Sequence, residues 1–173
     1  MNSMPQQPLV VVMGVSGSGK STIGVLVADA LGVPFVDGDS LHPIANVAKM
    51  AAGTPLTDED RWPWLAAIGA RLHESRDTGL VVACSALKRV YRDAISAEAP
   101  GVIFLHLDGT HDVLLRRLEG RSGHFMPPSL LDSQLATLER LQPDERGVVV
   151  DVDAEVPVVV AAAVAGVREL SVA

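Results

Sequence analysis

Two short stretches carry residue types that chemistry uses, at spacings that chemistry needs. GVSGSGKS, residues 14–21, matches G-x-x-x-x-G-K-[ST] and lies between an apolar run, LVVVM, and a helix-compatible run, STIGVLVADAL. Glycines let a main chain approach an anion without Cβ clashes, its N–H groups converge on the anion, and the start of a helix adds favourable potential. Gly14, Val15, Ser16, Gly17, Ser18 and Gly19 are therefore expected to wrap phosphate oxygens. Lys20 would bridge β- and γ-phosphates and Ser21 would ligate Mg²⁺. Thr22 would reach the α-phosphate or serve only as a first-turn helix residue. The second stretch, FVDGDSLHP, sets Asp37 and Asp39 on either side of Gly38. Alternate positions in an extended segment point the same way, so both carboxylates can face one site. One can help hold hydrated Mg²⁺ while the other accepts a hydrogen bond from a substrate hydroxyl. Taken alone, the pair is equally a turn and a helix cap, with Asp39 or Ser40 capping a helix that starts near Leu41 and Asp37 solvated.

The elements that must position these residues can be read from β-branched runs at residues 9–13, 34–36, 80–84, 102–107 and 147–152, each followed by a helix-compatible stretch. Such alternation predicts right-handed βαβ units and a largely parallel sheet covered on both faces. Ligands in open α/β sheets bind outside the carboxyl ends of the strands, which would bring the glycine-rich loop and the aspartate pair to the same edge. Residues 51–60 and 120–128 are rich in Gly, Pro and short polar side chains. They are either surface turns or mobile segments facing a substrate.

At 173 residues, the chain is expected to form a single domain, 1–173. A formal charge of −7 argues against an electrostatic nucleic-acid binder. With Cys84 as the only cysteine, no intramolecular disulfide can form, so a reducing cytoplasm is the expected compartment. The N-terminal residues lack a basic n-region, and VPVVVAAAVAGV falls short of the roughly 20 residues needed to span a bilayer, so neither a secretory signal nor membrane insertion is expected. His73, His106 and His111 show no metal-ligand spacing.

DGDSLHPIANVAKMAAGTPLTDEDRWPWL (37–65), CSALKRVYRD (84–93) and RLEGRSGHFMPPSLLDSQLATLE (117–139) closely resemble the gluconokinase family of phosphate-loop kinases. The departures are in details, such as Leu135 and the region 139–147. The resemblance implies a three-layer P-loop NTPase fold, with an adenylate-kinase-like five-stranded parallel sheet, helices on both faces and a mobile lid around 117–130. It also implies ATP and Mg²⁺ as cofactors, D-gluconate as the acceptor that becomes 6-phosphogluconate, and a possible homodimer.

Phosphoryl transfer asks a protein for alignment and for compensation of spread negative charge. Lys20 would serve the β- and γ-phosphates. Arg117 and Arg121, four apart on one helix face, would bind ATP from the lid, with Arg121, nearer the loop, preferred for neutralising the moving group. Arg61, in DEDRWPWL, is the expected bidentate clamp for the gluconate carboxylate. Of Lys88, Arg89 and Arg92, one or two are expected to touch substrate, with an Arg89–Asp93 ion pair as the alternative. His42 and His124 sit in matching motifs; a hydrogen bond at a helix start and lid packing are the alternatives to contact with substrate. Trp62 and Trp64, flanking Pro63, would wall the pocket or pack in the core. Asp39 is expected to orient the primary hydroxyl of gluconate and accept its proton, and Asp37 to help hold Mg²⁺. The rival readings are a kinase of the same fold acting on shikimate or a nucleoside monophosphate, and a non-catalytic nucleotide-responsive module.

Overall fold

The computed structural model describes residues 7–119 and 128–172. Five parallel strands stand in the order β2-β3-β1-β4-β5: β1 Leu9–Met13, β2 Phe35–Asp37, β3 Leu80–Ala83, β4 Ile103–Asp108 and β5 Gly147–Asp151. Helices α1 (Lys20–Leu31), α2 (Ile44–Ala51), α3 (Asp58–Glu74), α4 (Arg89–Glu98), α5 (His111–Glu119), α6 (Pro128–Thr137) and α7 (Val156–Val172) fill the connections, with a 3₁₀ turn at Gly38–Leu41. The order puts β3 between β2 and β1, so the segments leaving β1 and β2 flank the end of β3.

Strand alternation divides the core into two layers. Val10, Val12, Val81, Ile103, Leu105 and Leu107 pack with Ile23 and Val27 of α1 and Val159, Ala163 and Val167 of α7. Leu9, Val11, Met13, Val82 and Phe104 pack with Trp64, Leu65 and Ile68 of α3 and Tyr91 and Ile95 of α4. Every residue of β1 is buried, the signature of a central parallel strand covered on both faces. The second strand runs to Asp37 instead of ending at Val36; Asp37 pairs in register with Ala83, so this carboxylate stands at the very end of the strand.

The stretch 51–60 expected as loop opens on the last residue of α2 and closes on the first three of α3, where Thr57 Oγ1 accepts from Asp60 N–H at 3.2 Å, and Asp60 Oδ2 accepts from Thr57 N–H at 2.9 Å. This reciprocal capping box satisfies two helix-end donors and fixes where α3 begins. Among the described residues, no helix is long and apolar enough to cross a membrane.

Candidate active site

The loop between β1 and α1 is tied at several points. Gly14 N–H donates to Ser85 O, after β3, at 3.2 Å. Val15 O accepts from Ser18 N–H at 3.2 Å, Ser18 Oγ at 2.7 Å and Lys20 Nζ at 3.2 Å. Helix α1 starts after Gly19, whose φ of 88° suits glycine and whose lack of a side chain leaves the helix N-terminus uncapped. Ser21 and Thr22 stand exposed on that first turn.

At the end of β2, Asp37 Oδ1 accepts from Asp39 N–H at 3.0 Å and so caps the 3₁₀ turn. The capping role thus belongs to Asp37; Asp39 keeps a side chain 85% exposed. The glycine between them is required by a close approach, because a Cβ on Gly38 would collide with the carbonyl oxygen of Ala83. Trp64 Nε1–H donates to Gly38 O at 2.8 Å, anchoring the turn to α3. Trp64 is therefore a core residue that supports the turn, whereas Trp62 is 39% exposed and meets Tyr91 edge-on, ring centroids 6.0 Å apart. Burial pushes the Cys84 thiol up to about 12, with the backbone at Ala86 and then Lys20 pulling it down and Asp39 and Asp37 adding smaller upward pushes.

His42 stacks on Trp64 with centroids 4.0 Å apart, and its Nε2 lies 4.0 Å from Asp39 Oδ1. Beside it, two of the expected cations converge on one ring: the Arg61 guanidinium carbon is 5.5 Å and Lys88 Nζ 5.8 Å from the centroid of Tyr91. The Tyr91 hydroxyl donates to Asp58 Oδ1 at 2.7 Å, and Arg61 Nη1 lies 3.5 Å from the same oxygen. Burial, then the hydrogen bond to Asp58, lifts the phenol to about 12 and keeps it protonated.

Arg92 has a different task from the one expected. Its side chain is 1% exposed and pairs through Nε and Nη2 with Glu145 at 2.7 and 3.1 Å, while Nη1 donates to Ala86 O at 2.9 Å. Ala86 has φ 45°, an uncommon conformation for a residue with a Cβ. Arg92 thus holds the backbone of the segment that presents Lys88, with its donors spent on Glu145 and main-chain carbonyls. Arg89 contacts Asp93 at 3.6 Å, but its bidentate partner is Asp144, at 2.7 Å through both Nη1 and Nη2. Arg117 Nη2 donates to Val152 O and Ala154 O, joining the end of α5 to the segment before α7. Arg121 and His124 lie outside the described residues.

Three residues that were given no role contribute. Gln134 of α6 accepts from Ser16 N–H through Oε1 at 2.6 Å. Tyr91 gathers Arg61 and Lys88, and Asn46, 3% exposed, donates to His42. All three fall in quoted motifs, LLDSQ, CSALKRVYRD and DGDSLHPIANVAKM, which carry the signal without the partner.

The Shikimate kinase family model matches residues 16–158. Gluconokinase of Gluconobacter oxydans (strain 621H) is 51% identical over 138 residues, which cover 79% of this chain and 78% of that protein. Thermosensitive gluconokinase of Escherichia coli (strain K12) is 49% identical over 142 residues, 80% of this chain and 75% of that one. The crystal structure of a gluconokinase from Sinorhizobium meliloti 1021 matches with a TM-score of 0.86 at 52% identity, covering 95% of this chain and 94% of that one.

Proposed function

The chain belongs to the gluconokinase family, and from that membership we propose that it transfers the γ-phosphoryl group of ATP to the primary hydroxyl of D-gluconate. The observation that carries this reading is the meeting of two kinds of group around the end of β3. The Lys20 phosphate loop is tied to Ser85, and the turn bearing an exposed Asp39 is pressed against Ala83. Donor and acceptor machinery thus share one edge, as an in-line displacement requires.

In this reading the uncapped start of α1 and the glycine-rich backbone hold the phosphates, and Lys20 stays with the β- and γ-oxygens as charge moves between them. Asp39 accepts the hydrogen bond, and then the proton, of the attacking hydroxyl. Arg61 and Lys88 hold the gluconate carboxylate at the far end of the substrate, steadied by Tyr91 and Asp58. Ser21 and Asp37 are hard oxygen donors, and Asp37 spends only Oδ1 on capping, so the pair suits Mg²⁺. Mg²⁺ would neutralise charge on the β- and γ-phosphates. Arg117, and Arg121 from the segment that follows it, remain the candidates for the nucleotide side. A reducing cytoplasm is the compartment that suits the lone buried Cys84.

The match to the shikimate kinase model supports a second reading, with shikimate as acceptor; the gluconokinases near half identity favour gluconate. Asp39→Asn should lower kcat for gluconate by roughly a hundredfold or more while leaving ATP affinity nearly unchanged, and Lys20→Ala should abolish transfer. Steady-state kinetics with an ATP-analogue titration check both; unimpaired turnover in Asp39→Asn removes the base assignment.

A further inference from the structure

The side chain of His42 is 4% exposed and lies nearly flat on Trp64, with 14° between the ring planes. Its Nδ1 is 3.2 Å from Asn46 Nδ2, and the same Asn46 nitrogen donates to the main-chain carbonyl of Asp60 at 2.9 Å. A carbonyl oxygen only accepts, so this end of the Asn46 amide is the NH₂, and its second hydrogen goes to His42. Nδ1 must then carry a lone pair, and the single proton of the neutral ring sits on Nε2. Nε2 is the atom turned to Asp39, 4.0 Å from Oδ1.

The surroundings favour this neutral form. Burial, the largest influence, holds the imidazole below its usual pKa, against the pull of Asp39 and with help from Arg61. On the far side of Asn46, the Asp60 carboxylate is paired with Lys49 at 2.7 Å. Asn46, Asp60 and Trp64 therefore fix the position, proton and ring plane of a group whose donor faces the Asp39 carboxylate.

We propose that His42 is a positioning residue for Asp39, closing its Nε2–H onto the carboxylate so that the other oxygen is set toward the acceptor hydroxyl. A separation of 4.0 Å lies just outside hydrogen-bond range, and a small rotation of an exposed aspartate closes it. A neutral donor orients the carboxylate without cancelling the charge that draws the hydroxyl proton. This inference rests on the gluconokinase reading, since it concerns how that reaction's base is held.

The tautomer is checked in the wild-type protein by ¹⁵N NMR of labelled histidine, with His42 assigned by its loss in a His42 variant. Nδ1 should resonate as an unprotonated nitrogen and Nε2 as a protonated one; the opposite pattern overturns the proposal. In kinetics, His42→Leu should lower kcat by about tenfold to a hundredfold with KM for gluconate within about threefold, and His42→Gln, which keeps a donor, should recover most of the loss. A His42→Leu enzyme with wild-type kcat, or with a raised gluconate KM alone, overturns it. Should His42→Leu fail to fold, the tautomer and the His42→Gln rate still decide. Gluconate turnover by the wild-type enzyme in the same series tests the functional reading separately, so an active wild type beside an equally active His42→Leu defeats the positioning role alone.

Discussion

Asp37 and Asp39 stand two residues apart and take different work because one is spent on the backbone. Asp37 Oδ1 holds the Asp39 N–H, and this bond turns the Asp39 side chain out to 85% exposure. Gly38 permits the arrangement by letting the turn lie against Ala83. The same division separates the basic residues after β3. Lys88 stays beside Tyr91, whereas Arg92 is sealed against Glu145, whose side chain is 5% exposed. Removing one member of a buried pair leaves the other uncompensated, so Arg92→Leu should cost about 3–5 kcal/mol in urea unfolding. Gluconate KM of the variant that remains folded should change little. A variant of normal stability with a strongly raised KM would return Arg92 to the substrate. Nothing in CSALKRVYRD separates Lys88 from Arg92, because the partner that decides lies 53 positions away.

Helix α6 and the residues after it bridge both halves of the site. Gln134 accepts from Ser16 N–H, Glu139 Oε1 accepts from Arg89 N–H at 3.0 Å, and Glu139 N–H donates to Leu87 O at 2.7 Å. Phosphate loop and acceptor-side segment are thus held to one short stretch of chain. Gln134→Leu should weaken binding of an ATP analogue by roughly threefold to tenfold, the worth of one net hydrogen bond, with gluconate KM unchanged. Calorimetric titration checks this, and unaltered nucleotide affinity would make the contact incidental. The elements themselves were readable: all five strands appear where apolar β-branched runs stand, within a residue or two at their ends. The partners of Gln134 and Glu139 were not, since both residues act through long-range docking of α6, and the motif that holds them does not show what they meet. The start of α3 is not legible either, because the run of Pro, Thr and acidic residues at 55–60 reads as loop until the capping box is seen.

Across the whole molecule, the strand order joins the two chemistries. Alternating strands and helices predicted a parallel sheet, but the insertion of β3 between β2 and β1 is what sets the aspartate turn and the phosphate loop on either side of one strand end. The crossovers carry Gly14 to Ser85 and Gly38 to Ala83, so two segments over twenty residues apart in sequence meet around one strand end. The proposed reaction uses that meeting: a phosphate would be held at one side, a carboxylate would face a hydroxyl at the other, and the cations gathered by Tyr91 would take the acid group. The most direct test measures ADP release with ATP and Mg²⁺ while offering gluconate, shikimate, other sugar acids and nucleoside monophosphates in parallel. Turnover should be strong with gluconate and marginal with the others; preferential turnover of shikimate or a nucleotide, or none with gluconate, would contradict it.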